Sequence, residues 1–455
     1  MKLSIIAKAI GGTLFGPDRE LPPVVIDSRK VHPGVLFIAI KGEQHDGHDY
    51  LASAIQAGAV AVMAARAPSS TEEQSVSFLQ VSDTIQALGA LAACWRKQFS
   101  LPVLGLTGSC GKTTVKSMVQ TICESQGKTL ATAGNFNNEI GLPLTLLRLD
   151  AQDAFAVIEM GASGLDEISY LCSLARPTIS LITNVRPAHL AGFGSIENIA
   201  KTKSMIYDAL PMQGIALINL EEDYSPQWLQ QVGHRQVITF GVSERATVYA
   251  SNIRLFPRQV SFNLHLKGEH LPVTMGIPGQ HTIINALAAS AAGHAFGIPL
   301  ARIVAGLENF AGVPGRLRQF LGYAGAAIID DSYNANPGSM KAALDVLAQC
   351  NGERIFVMGD MGELGSDEIS YHRQIGDYAK NVKIDKLYAV GKLSAHAIEA
   401  FGQGAQIYDS KDHLVTALKT QVSEHSTVLI KGSRSAGMEI IAKALTLPSS
   451  SQAGS

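Results

Sequence analysis

Apolar residues recur in two rhythms along this chain, and together they predict an α/β protein. Short apolar runs that end in a polar residue occur at 103–106, at 154–158 before Glu159, at 180–183 before Asn184 and at 215–218 before Asn219. Helical sequence follows each run. Strands buried on both faces read as continuous apolar segments, so this repetition predicts a mainly parallel sheet with helical crossovers. Ligands in such sheets gather at the carboxyl ends of the strands. Ile85, Leu88, Leu91, Ala92 and Trp95 fall at helical spacing over 84–99. Further helical patterns cover 195–210, 281–296 and 300–310. Val260, Phe262, Leu264 and Leu266 alternate instead with polar neighbours, which predicts a half-exposed antiparallel strand and a hairpin turning near Gly268.

Punctuation divides these elements into three blocks, in line with 455 residues at roughly 150 per domain. A small α/β module occupies 1–83, with short apolar segments at 24–26 and 35–40. A central parallel-sheet unit carrying a phosphate loop occupies 84–314, entered through a connector helix at 84–100. Gly312-Val313-Pro314-Gly315 reads as a hinge, and 315–455 forms a Rossmann-like α/β unit with runs at 326–329, 355–358, 387–390 and 428–430. Ser449 to Ser455, small and polar, is expected to fray.

Charge and cysteine usage narrow the partners. Lys plus Arg (37) nearly balances Asp plus Glu (39), which excludes a broad positive field for nucleic acid or an anionic membrane. Five scattered cysteines lack disulfide or zinc spacing and fit a reducing compartment, so a cytoplasmic location is expected. Lys8 interrupts the apolar N-terminus, which therefore does not read as a secretion signal. No uncharged apolar run reaches the ~20 residues that cross a bilayer; 59–65 is among the longest.

One loop carries definite chemistry. Gly108-Ser109-Cys110-Gly111-Lys112-Thr113-Thr114 follows a strand and opens the helical stretch 115–126. Glycines let backbone N–H groups converge on phosphate oxygens, and a helix N-terminus adds favourable partial charge. Lys112 neutralises the outer phosphates, and the Thr113 hydroxyl suits the magnesium that accompanies ATP. A full Walker A motif has glycine where this chain has Leu106.

Beyond the loop, Gly134-Asn135-Phe136-Asn137-Asn138-Glu139-Ile140-Gly141, Glu159-Met160-Gly161, the Asn184 to His189 segment, His281 to Asn285, Gly315-Arg316, Asp330 to Asn336, Gly359 to Gly365 and Lys431 to Arg434 follow one another along nearly the whole chain. In these motifs the chain resembles the ATP-dependent Mur ligases, which assemble the peptidoglycan precursor. The Asn-rich segment and the last three motifs resemble the member that adds D-alanyl-D-alanine. The resemblance implies ligation of that dipeptide to UDP-N-acetylmuramoyl-tripeptide through an acyl phosphate, by a monomer. It implies that Lys112, Glu159, His189 and Lys203 are catalytic, with magnesium held by Thr113, Glu159, His189 and Lys203, the last as a carbamate formed with carbon dioxide. Lys201 competes with Lys203 for that role.

By the same resemblance, Asn285, Arg316 and Asp331 join Gly108 to Thr114 in binding ATP. The UDP substrate falls to Ser28, Arg29, Asp46, His48, Asn135, Asn137 and Asn138, and the dipeptide to Asn334, Asn336 and Arg434. A folylpolyglutamate synthetase-like ligase shares the loop but needs a pteridine site. A small-molecule kinase would use the loop alone, and a non-catalytic nucleotide-binding module would turn nothing over.

Overall fold

The computed structural model describes residues 1–188 and 190–446, so His189 and the expected fraying tail lie outside the described residues. The chain divides into two compact units: Met1–Gly105, Gly127–Ala162 and Glu167–Thr178 in the first, and Leu106–Gln126, Ser163–Asp166 and the chain from Ile179 onward in the second.

In the first unit a five-stranded sheet runs in the order Thr13–Phe15, Ser77–Gln80, Ala61–Ala64, Leu36–Ile38, Val24–Val25. The first pair is antiparallel and the others parallel. Because successive side chains in a strand point to opposite faces, Leu36, Ile38, Ala61, Met63 and Leu79 pack with Leu3, Ile6, Leu88 and Leu91. Val35, Phe37, Val62, Ala64 and Phe78 pack on the other face with Leu51 and Ala54. The apolar run at 59–65 thus contains the buried central strand Ala61–Ala64. The first unit also pairs Thr129–Ala131 in parallel with Phe155–Glu159. The connector helix is Thr84–Arg96, capped where the Asp83 carboxylate accepts from the N–H groups of Ile85 and Gln86.

The second unit holds two larger assemblies. Ile179–Ile182, Ile215–Asn219 and Gln236–Gly241 run parallel side by side. Val248–Leu255 extends them in parallel, and Val260–Leu266 and Glu269–Met275 follow antiparallel, with the expected hairpin between them. The strand Val248–Leu255 was not legible in the sequence. Its outer half is exposed, and its pairing slips between Ser251 and Arg254, where Asn252 adopts φ +52°.

The last sheet runs Arg318–Leu321, Ala327–Asp331, Ser426–Lys431, Glu353–Gly359, Lys386–Val390, Ala405–Tyr408, antiparallel only at its first pair. Alternation again sorts its core: Phe356, Met358 and Leu429 face Met340, Leu344 and Ile375. Ile355, Val357 and Val428 face Leu414, Leu418 and Ile441. No helix among the described residues is long and apolar enough to cross a membrane.

In the first unit Glu72 closes the capping box begun by Ser69 and accepts from Arg66 Nη1 at 2.9 Å and Nη2 at 2.6 Å. The Arg66 hydrogen bonds come first among the causes that hold its carboxyl down at about 2. A depressed carboxyl contributes stability above its unfolded value of 4.5 and loses it as pH falls toward about 2. The Arg66 side chain is 41% exposed, and solvent screening leaves about 1 kcal/mol. Glu72→Gln should therefore destabilise the first unit by about 1 kcal/mol at pH 7 and progressively less from pH 4.5 downward. Urea-dependent hydrogen exchange of Ser77–Gln80 measures this, and an equal loss at pH 7 and near pH 2 would contradict it.

Candidate functional site

The loop after Thr107 is shaped by its neighbours before any ligand arrives. Gly108 has φ +149°, and a Cβ there would lie 1.9 Å from Thr183 Oγ1. Gly111 has φ +81°, and its Cβ would meet Asn285 Oδ1 at 2.6 Å. Only glycine admits both the backbone conformation and the approach. Thr183 and Asn184, at the carboxyl end of Ile179–Ile182, then fasten the loop: Thr183 Oγ1 donates to Cys110 O (2.6 Å), Asn184 Nδ2 donates to the same carbonyl (3.0 Å), and Asn184 O and Oδ1 accept from the N–H groups of Ser109 and Cys110 (both 2.9 Å). Asn219, at the next strand end, donates to Thr183 O at 2.9 Å. Ser109 Oγ donates to Arg186 O and accepts from Arg186 N–H, both at 3.0 Å.

Beyond the loop, Lys112 opens the helix Lys112–Glu124, whose first N–H groups have no intrahelical acceptor. Lys112 Nζ donates to Gly108 O at 2.7 Å. Leu106, in place of the Walker glycine, is fully buried within Val103–Thr107. The loop is thus a shorter form in which that position belongs to the strand.

Residues after Pro314 reach the same loop. Gly315 has φ +71°, and Arg316 Nη2 donates to Thr113 Oγ1 at 3.0 Å. Asn336 Nδ2 donates to Cys110 Sγ at 3.1 Å, while its Oδ1 caps the helix Pro337–Ala348. Asp331 and Lys431 are register partners at adjacent parallel strand ends. Lys431, 2% exposed, donates to Asp331 Oδ2 at 2.5 Å and to Asn334 O at 2.9 Å. Asp331 Oδ1 accepts from Leu317 N–H, so both of its oxygens are engaged. Burial pushes the His281 imidazole below its ordinary value, with Asp331 opposing that shift. Asn334 is exposed, and Arg434 donates to Glu439.

In the first unit, Glu159 ends its strand at 2% exposure. Its Oε1 accepts from Asn137 Nδ2 at 2.8 Å, and its Oε2 is buried without a hydrogen-bond partner. Asn137 therefore sits on the expected metal ligand, and Asn138 Oδ1 caps Gly141 N–H. A buried, unpaired carboxylate oxygen is costly unless a cation answers it, so the donor set fits magnesium. Asp27 and Asp46 cap short 3₁₀ turns. Arg29 is spent on Asp27, and Ser28 lies in the same turn. His48 Nδ1 meets Asp46 and its Nε2 accepts from Ala65 N–H.

The helix Ile196–Asp208 separates the two competing lysines. Lys203 is 2% exposed, with Nζ 5.7 Å from the Phe193 ring centroid, whereas Lys201 faces solvent. Sequence reasoning did not assign Thr183, Tyr333 or the Arg186–Glu222 ion pair (2.8 Å) to the site. The strand-end position of Thr183 was the signal available for it.

The Mur ligase family, catalytic domain, matches residues 23–96; the Mur ligase middle domain matches 106–293; and the Mur ligase, glutamate ligase domain, matches 315–434. UDP-N-acetylmuramoyl-tripeptide--D-alanyl-D-alanine ligase of Escherichia coli (strain K12) is 42% identical over 446 residues, covering 97% of this chain and 98% of the relative. Among solved structures, MurF from Acinetobacter baumannii superposes with a TM-score of 0.91 at 34% identity over 97% of both chains. MurF ligase from Thermotoga maritima, solved in complex with ADP, gives 0.83 at 26% identity, covering 93% of this chain and 97% of that one. With three such domains in order and a relative aligned from end to end, the chain belongs to the Mur ligase family.

Proposed function

We propose that this chain is an ATP-dependent ligase that joins D-alanyl-D-alanine to UDP-N-acetylmuramoyl-tripeptide, yielding ADP, phosphate and the UDP-linked pentapeptide. The observation that carries this reading is the phosphate loop, gripped by Thr183 and Asn184 and met by Arg316 and Asn336 from beyond the hinge. The folylpolyglutamate alternative has less support, because the relative aligned over 97% of this chain carries the D-alanyl-D-alanine ligase name.

Joining a carboxylate to an amine in water requires activation of the carboxylate. Its oxygen attacks the γ-phosphorus of ATP, the bond to ADP breaks, and an acyl phosphate results. The dipeptide amine then attacks the acyl carbon and expels phosphate. Negative charge gathers at both steps, so cations fixed in advance supply much of the stabilisation. In this reading Lys112 and Arg316 answer the phosphate oxygens, Asn285 holds the nucleotide against the loop, and Asp331 is the ribose contact, poised by Lys431. Thr113 and Glu159 would each hold magnesium, which when bound would supply positive charge to offset that of the phosphoryl group. The buried setting of Lys203 supports its assignment, ahead of Lys201, as the carbamate ligand of a second magnesium beside His189.

The proposed division of labour assigns 1–83 to the UDP substrate, 84–314 to ATP and 315–455 to the dipeptide. Ser28, Arg29, Asp46, His48, Asn135 and Asn138 serve the first of these. Asn137 is assigned to the UDP substrate with them and also donates to Glu159 Oε1, and Asn334, Asn336 and Arg434 serve the dipeptide. The reaction uses soluble cytoplasmic precursors and a monomeric chain.

Incubation with ATP, magnesium, D-alanyl-D-alanine and UDP-muramyl-tripeptides should give the pentapeptide mass only when all are present. ADP release without either peptide substrate would overturn the assignment. Gly108→Ala, which drives a methyl group toward Thr183, should weaken ATP binding at least tenfold, about 1.4 kcal/mol; unchanged affinity by calorimetry would contradict the loop's role. Lys203→Ala should lose about a hundredfold in kcat and recover partly with added formate or acetate. An active variant indifferent to these acids would refute the carbamate.

A further inference from the structure

Tyr333 lies between the strand Ala327–Asp331 and the helix Pro337–Ala348, and the reaction described above leaves it without a task. Its ring meets two guanidinium groups: the Arg316 Cζ is 4.5 Å from the ring centroid and the Arg434 Cζ is 5.8 Å from it. Both distances fall within cation–π reach, the second near its limit. Two like charges drawn to one ring repel each other, so the negative face of the ring is what favours the arrangement.

The ring is placed by the same turn that carries Arg316. Tyr333 N–H donates to Gly315 O at 3.1 Å, and a Cβ on Gly315 would stand 3.2 Å from Tyr333 N. Arg316 continues from the ring to the Thr113 hydroxyl. Arg434, whose side chain is 65% exposed, otherwise has Glu439 at 3.2 Å, an exposed pair worth little by itself.

We propose that Tyr333 is a positioning residue that registers the phosphate-facing Arg316 and the dipeptide-facing Arg434 on one aromatic ring. The arginine at the transferring phosphate and the one that takes the incoming carboxylate are thereby held at a fixed separation. This rests on the reading of Arg434 as a dipeptide contact, where a guanidinium suits the terminal carboxylate. The π-face is required and the hydroxyl is not.

Steady-state kinetics on the full chain, with D-alanyl-D-alanine varied at saturating ATP, test this in Tyr333→Phe, Tyr333→Leu, Arg434→Ala and the Tyr333→Leu/Arg434→Ala double variant. Tyr333→Phe should stay within about twofold of the parent, and Tyr333→Leu should raise the dipeptide KM about five- to tenfold. The dipeptide KM of the double variant should be no higher than that of Arg434→Ala alone. Pentafluorophenylalanine at 333 keeps the ring's shape while reversing its quadrupole. It should reproduce the leucine effect, and it decides the matter if the leucine variant melts early. An unchanged dipeptide KM in Arg434→Ala would sink the reading of Arg434 itself. A raised KM there, combined with no effect of the fluorinated ring or with multiplying effects in the double variant, would overturn the role of Tyr333.

Discussion

The close approach of Gly108 to Thr183 is the constraint around which the site is built. Thr183 stands where a parallel strand ends, and its hydroxyl can reach the Cys110 carbonyl only because residue 108 has no side chain. Asn184 completes the grip by taking the N–H groups of Ser109 and Cys110. A loop held through its own backbone keeps the N–H groups at the helix start in a fixed arrangement, the kind that suits an anion.

The same logic governs the final sheet. Parallel register sets Asp331 beside Lys431, so two residues a hundred positions apart form a buried pair whose remaining needs are met by Leu317 N–H and Asn334 O. A buried pair with its hydrogen bonds satisfied serves geometry more than net stability. Here it fixes the segment from which Tyr333, Asn334 and Asn336 project. Asn336 divides its amide between capping its own helix and touching the Cys110 thiol, which ties the start of that helix to the phosphate loop.

Much of this was legible before any coordinates. Apolar runs with polar ends announced the parallel strands, and Glu159, Asn184 and Asn219 were singled out because strand ends collect ligands. The spacing of the loop's glycines and Lys112 carries the expectation of phosphate chemistry, and the structure shows the strand–loop–helix setting that the expectation needs. What stayed hidden were pairings between distant segments and the environments they create. Lys201 and Lys203 are two residues apart on one helix, and only the fold buries one and exposes the other. The Asn137 to Glu159 bond and the tie from His48 to Ala65 depend on long-range packing that periodicity does not encode. Val248–Leu255 carries no clean alternation, because its register slips and its outer half is exposed.

The account stands on one chemical claim, that the tripeptide carboxylate becomes an acyl phosphate on ATP held by this loop. Tripeptide labelled with oxygen-18 in its terminal carboxylate, turned over with ATP and D-alanyl-D-alanine, tests it by mass analysis of the phosphate released. One labelled oxygen should appear in each phosphate, with the other retained in the new amide. Unlabelled phosphate alongside pentapeptide would contradict the claim.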